Sequence, residues 1–129
     1  MDGERPVPGG SLQYAVLVAL WDAGPLSARE VHDRVGVPLK LVYTTTTKVL
    51  ERLHSRGLVD RRRKNGVFLY RPGVERPIVD GARISRTLGG LLLEQPRPAM
   101  AALVEAIESI DPALLDELAR AVESRRRSR

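Results

Sequence analysis

The 129 residues, 43% of them hydrophobic, suit one compact domain or a small domain with an added helical segment, and one Trp, one Phe and three Tyr leave the core to Leu, Val, Ile and Ala. Without Cys there is no disulfide, thiolate metal site or cysteine nucleophile; two His give metal chemistry little to work with, and no apolar run nears the roughly 18 residues of a membrane span. The net charge of +5 and pI near 10.2 favour a polyanionic partner, and the lack of a basic start followed by an apolar run reads as cytoplasmic.

Met1 to Gly10, with two Pro and three Gly, reads as a disordered lead-in. Ser11 is placed to cap a helix whose broad apolar face holds Leu12, Val16, Leu17, Ala19, Leu20 and Trp21, and Gly24-Pro25 stops it. Trp21 is expected as a core filler. Ser27-Ala28-Arg29-Glu30 is a capping box opening a short second helix that carries Ala28, Val31 and Val35 and ends at Gly36. His32 and His54 lack any motif that would orient them and read as surface or boundary residues. After the turn Val37 to Lys40, the spacing predicts a third helix over Val42 to Arg56, closed by Gly57.

That third helix buries Val42, Thr46, Val49, Leu50 and Leu53, and turns Thr44, Lys48, Glu51 and Ser55 outward, flanked by Thr45, Thr47 and Arg52. Four consecutive threonines are poor helix formers, so helix stability alone does not explain them. Short hydroxyls followed by cations suit a helix that enters a DNA groove; a solvated helix face is the alternative. Beyond Gly57 the period changes to 2. Asp60 to Lys64 and Val67 to Tyr70 flank Asn65-Gly66, the dipeptide of a type I′ hairpin turn. A short helix, a longer polar-faced helix and a basic hairpin make a winged helix-turn-helix, in which Arg61, Arg62, Arg63 and Lys64 are expected to contact phosphate, a merely solvated turn being the alternative. Phe68 and Tyr70 share one strand face and are expected to pack on the helices rather than stack on bases.

The rest is helical. Ile78 to Leu93 places Ile84, Leu88 and Leu91 on one stripe, Glu94 to Pro98 is a break, Met100, Leu103, Val104 and Ile107 form an amphipathic helix, and Asp111-Pro112 opens another with Leu115, Leu118, Ala119 and Val122. Such faces have little core of their own, so a second copy is expected to cover them. The Arg125 to Arg129 tail reads as a frayed, solvated end. The expected architecture is therefore mainly α with a small β-hairpin: a lead at 1–10, a winged domain at 11–73 and a dimerisation arm with a basic tail at 74–129.

Three stretches, LQYAVLVALWDAGPLSAREVHDRV, YTTTTKVLERLHSRGLVDRR and VFLYRP, resemble the penicillinase-repressor family of winged-helix transcription regulators, the BlaI/MecI/CopY type. The resemblance covers Ser11 to Pro72 and implies a homodimer that blocks transcription from a palindromic operator. It implies DNA contacts at Tyr43, Thr44, Thr45, Thr47 and Lys48 and along the wing from Arg61 to Lys64; the outward projection adds Arg52 as a phosphate contact. Thr46 and Thr47 stand where relatives often carry apolar residues, and Lys48 where they often carry a hydroxyl. Ala102-Leu103 is the nearest counterpart of the Asn-Phe pair cut in members under a membrane sensor protease.

No cofactor or metal is expected, and no enzyme, because Glu30 and Glu51 are explained by capping and surface pairing and there is no Gly-rich loop, paired acid or triad. The expected partners are double-stranded DNA and a second copy; the sensor or effector that releases the DNA is open. The other reading is a winged module whose basic face docks an acidic protein.

Overall fold

The computed structural model describes residues 7–129; the first six residues of the expected lead-in lie outside them. Packing begins earlier than Ser11, since Val7 is buried and its carbonyl accepts a hydrogen bond from the Arg56 guanidinium. Ser11 is the first residue of α1 (Ser11–Ala23) rather than its cap. Gly10 holds the cap position without a side chain to offer, and the Gln13 side-chain oxygen accepts the Gly9 N–H nearby at 2.6 Å. Helix α1 is apolar on nearly every side, the pattern of a helix surrounded by protein, and Val16, Leu17 and Leu20 are buried. Trp21 packs at the core edge while its indole N–H donates to the Val74 carbonyl at 3.1 Å.

After Gly24 comes a strand too short to show a period, β1 (Leu26–Ser27). The Ser27 hydroxyl and Glu30 carboxylate then cap α2 (Ala28–Val31) reciprocally. The chain continues without interruption into a wider π-helical turn, His32–Gly36, closed by the Val37 N–H on the His32 carbonyl at 2.8 Å. Helix α3 (Tyr43–Ser55) buries Thr46, Val49, Leu50 and Leu53 as expected. Val42 departs from that stripe. It sits one residue before the helix in extended conformation, where helical spacing no longer governs its side chain, and is 66% exposed.

Gly57, at φ 75°, ends α3 with two paired bonds, Gly57 N–H to the His54 carbonyl and Leu58 N–H to the Leu53 carbonyl. This is a Schellman turn. It leads straight into β2 (Val59–Lys64), which returns through Asn65 at φ 51° and Gly66 at φ 79° to β3 (Val67–Pro72). Those two positive values are the type I′ turn expected of Asn-Gly. β3 also pairs with β1, so the sheet has three strands in the order β1-β3-β2, with Leu26 opposite Tyr70 and Arg62 opposite Leu69. The core runs from Leu17 and Leu20 through Val31, Leu50 and Leu53 to Leu58, Tyr70 and Val79.

Val79 belongs to α4 (Arg76–Glu94), which is further tied by the Tyr14 hydroxyl to the Asp80 carboxylate at 2.7 Å. The chain divides into two compact units, residues 1–84 and 85–129, so α4 contributes to both. In the second unit α5 (Pro96–Ile110) follows after Gln95 alone. The expected break at Glu94 to Pro98 shrinks to that residue because proline is tolerated in a first helical turn, where its missing N–H has no partner to lose. Asp111 accepts the Ala113 N–H and caps α6 (Pro112–Arg127), which packs on α5. The basic tail is helical through Arg127 rather than frayed. Neither α5 nor α6 buries a residue; Met100, Val104, Leu118 and Val122 are exposed. Among the described residues no helix is long and apolar enough to cross a membrane.

Candidate nucleic-acid interface

The inward face of α3 is fixed by its aliphatic stripe, so what remains outside is set by elimination. Thr44, Lys48 and Arg52 are exposed, Thr45 and Thr47 half-buried, and Tyr43 at the helix start is 36% exposed. The Thr47 hydroxyl donates to the Thr44 carbonyl at 2.9 Å, which spends its proton and leaves the oxygen free to accept. Thr44 and Lys48, four residues apart, stand above one another on the outer surface.

Pairing register sorts the wing cations into two groups. Arg61 and Arg63 share a strand face with Phe68 and Tyr70, and their guanidinium carbons lie 4.4 and 4.9 Å from the Phe68 ring centre. Arg61 also bonds Glu51 of α3 at 2.8 Å. Hydrogen bonding with Tyr70 and then with Glu51 holds its guanidinium above its ordinary pKa, so it is a fixed charge. Arg62 and Lys64 lie on the opposite face beside Leu69 and Val67, exposed, and make no ion pair among the described residues. Of the four cations of the expected hairpin, Arg61 thus engages α3, Arg63 lies over Phe68, and Arg62 and Lys64 are unengaged among the described residues. Tyr70 is buried, and Phe68 is half-buried at the core edge under the two guanidiniums.

A groove of about 400 Å³ separates α3 from the wing, walled by Tyr43, Thr47 and Glu51 on one side and by Val67 and Phe68 on the other. Arg29 contributes to the same groove, its guanidinium 4.5 Å above the Tyr43 ring. Sequence reasoning passed over Arg29 because it counted the capping box for its Ser and Glu; only the ring fourteen positions on reveals what Arg29 covers. The other omission is His32, read as a surface or boundary histidine. It is 7% exposed, and its Nδ1 lies 2.7 Å from the hydroxyl of buried Thr46. A polar ring is tolerated there because that hydroxyl satisfies it.

A capped short helix, a tight turn, a helix presenting hydroxyls and a lysine, and a basic two-stranded wing beside it define a winged helix-turn-helix DNA-binding protein. Comparison with known proteins agrees. The penicillinase-repressor family model matches residues 9–124, and the transcriptional regulator BlaI of Mycobacterium tuberculosis is 31% identical over 115 residues, 88% of this chain and 81% of that protein. The chain belongs to the penicillinase-repressor family: it is a DNA-binding transcriptional repressor and not an enzyme. Among solved structures, the PcaV transcriptional regulator of Streptomyces coelicolor in complex with its natural ligand is similar at 30% identity, 83% of this chain, 77% of that chain and TM-score 0.48. A MarR family protein of Bacillus stearothermophilus is similar at 20% identity, 88% of this chain, 80% of that chain and TM-score 0.48.

Proposed function

We propose that the protein acts in the cytoplasm as a homodimer on a palindromic operator. Thr44, Thr45, Thr47 and Lys48 meet base edges in the major groove beside Tyr43. Arg52 and the wing cations Arg61, Arg62, Arg63 and Lys64 hold the phosphate backbone. Base contacts then give sequence preference, and phosphate contacts give much of the affinity and its salt sensitivity. The observation that carries this reading is the outward face of α3, all hydroxyl or charged, beside a wing with unengaged cations.

Dimerisation is supported by the second unit, where α5 and α6 leave Met100, Val104, Leu118 and Val122 exposed at helical spacing. Isolated apolar side chains are common on surfaces, but two successive helices without a buried residue need a partner to repay their ordering. Two recognition helices on one side of a duplex would read half-sites about 34 to 36 Å apart.

Fluorescence anisotropy tests this with DNA from upstream of the gene against a scrambled duplex across a salt series. A preference of about 10³-fold or more at physiological salt, with two protomers per duplex, supports it. Equal and steeply salt-dependent binding to both would refute sequence recognition and leave a basic surface that suits an acidic partner.

A further inference from the structure

Helix α3 starts on a run in which residue type does not mark the buried side, and only spacing from the later aliphatic residues does. Thr44, Thr45, Thr46 and Thr47 are identical, and the buried aliphatic residues begin only at Val49. In the first turn a hydroxyl residue, Thr46, occupies the inward position at 2% exposure, and its oxygen meets His32 Nδ1 at 2.7 Å. The other edge of that assembly is Tyr43. Its ring lies edge-on to the His32 ring at 5.5 Å between centres, 88° between planes, and carries Arg29 on its face. One imidazole thus touches the first turn of α3 at two positions three residues apart.

Gly36 is the independent sign that this arrangement is built. Its φ lies outside the left-handed region, so backbone conformation does not demand glycine there. Space does: a Cβ at Gly36 would overlap both His32 Nδ1 and Thr46 Oγ1. The π-helical turn ends on this residue, and its carbonyl accepts the Leu41 N–H at 2.9 Å, so the backbone that delivers α3 is tied to the same point.

We propose that His32 is a positioning residue for sequence recognition: through Thr46 and Tyr43 it fixes the rotation of the first turn of α3, so that Thr44, Thr45, Thr47 and Lys48 face the bases in one register. This rests on the reading of α3 as the base-contacting helix. A rotation of that turn moves short side chains off base edges, while the longer cations of the wing and Arg52 still reach phosphate. Loss of the His32 contact therefore costs discrimination and spares non-specific binding.

The test uses the full chain and a duplex enriched from a randomised pool by the wild-type protein, compared with a scrambled duplex of the same composition. Thr46→Val removes the hydroxyl and little volume. It is expected to cut the ratio of the two affinities about tenfold, the scale of one lost base contact, with binding to the scrambled duplex unchanged within about twofold. Thr46→Ser restores the oxygen and should restore the ratio. His32→Leu should match Thr46→Val, and the two together should be no worse than either alone, since both delete one interaction. Val79→Ala, in the same core but on α4 and outside the His32, Thr46 and Tyr43 assembly, supplies a control with lowered thermal midpoint and an undiminished ratio.

A wild-type ratio in Thr46→Val, or an equal loss of ratio in Val79→Ala, would overturn the positioning role. If His32→Leu does not fold, the Thr46 pair decides alone. If wild-type protein enriches no duplex, the reading of α3 fails and takes this inference with it.

Discussion

Arg62 isolates the wing's contribution because no ion pair among the described residues depends on it. It lies opposite Leu69 on the strand face turned from Phe68 and is exposed. Truncation to alanine therefore removes one phosphate contact per protomer, two per dimer, and leaves folding stability within about 0.5 kcal/mol of wild type. Each contact on B-DNA adds about 0.9 to the slope of log K against log salt, so losing one in each protomer of a dimer should lower the slope by about 1.8. At about 0.15 M salt that corresponds to roughly a thirtyfold loss, about 2 kcal/mol, the same for operator and scrambled DNA. Anisotropy titrations of both duplexes across salt read both quantities. An unchanged slope would mean that the wing does not reach the backbone. A loss confined to the operator would mean that Arg62 reads bases, and the division of labour between helix and wing would be wrong.

Lys48→Ala, by contrast, should change the ranking of single-base operator variants by about 1 to 3 kcal/mol at the positions it faces, read by competition binding; uniform weakening across all variants would assign Lys48 to phosphate. Arg61→Ala should weaken DNA binding and leave the Glu51 carboxylate unpaired beside the duplex, so adding Glu51→Gln should recover part of the loss; no recovery would show that the pair at 2.8 Å does not shield that charge. Ser27→Ala should cost about 1 kcal/mol of stability in urea unfolding through loss of the cap, and an unaltered midpoint would remove the box from the account. Hydrogen bonding with the Ser27 backbone N–H and then its hydroxyl holds the Glu30 carboxyl below its ordinary value of 4.5. The folded state thus favours the ionised form, so the Glu30 contribution is present above pH 4.5 and is lost as pH falls through the lowered folded value. Thermal midpoints of wild type and Glu30→Gln should converge there in acid.

What could be read in advance was local. The capping box, the aliphatic stripe of α3, the Gly57 stop and the Asn65-Gly66 turn each declare themselves within a few residues, because the chemistry of a cap or a positive φ is satisfied by near neighbours. What escaped was non-local. Leu26–Ser27 is a strand only because Tyr70 and Leu69 arrive to pair with it. His32 lies beside the Ala28, Val31 and Val35 stripe, yet a ring with two nitrogens is buried there only because Thr46, fourteen residues on, offers its hydroxyl. At the candidate site the outward positions of α3 followed from helical spacing. The unequal placement of the wing cations followed from strand register, a matter of which residues meet across the hairpin.

The Schellman turn has a consequence for how the hairpin can change in length. Leu58 alone separates Gly57 from β2, and both Leu58 and Val59 are buried, so the root of the hairpin cannot shift without disturbing the core. Its tip is under no such restriction. Adding one residue to each strand beside the turn extends the hairpin by about 3.3 Å and leaves every existing side chain on its present face. An insertion in one strand alone forces a bulge or reverses the facing of everything beyond it, exchanging Arg61 and Arg63 for Arg62 and Lys64. Without a bulge, the length of the hairpin can therefore change only in matched steps, one graded increment at a time, while any change to α3 must keep its footing on Leu50 and Leu53.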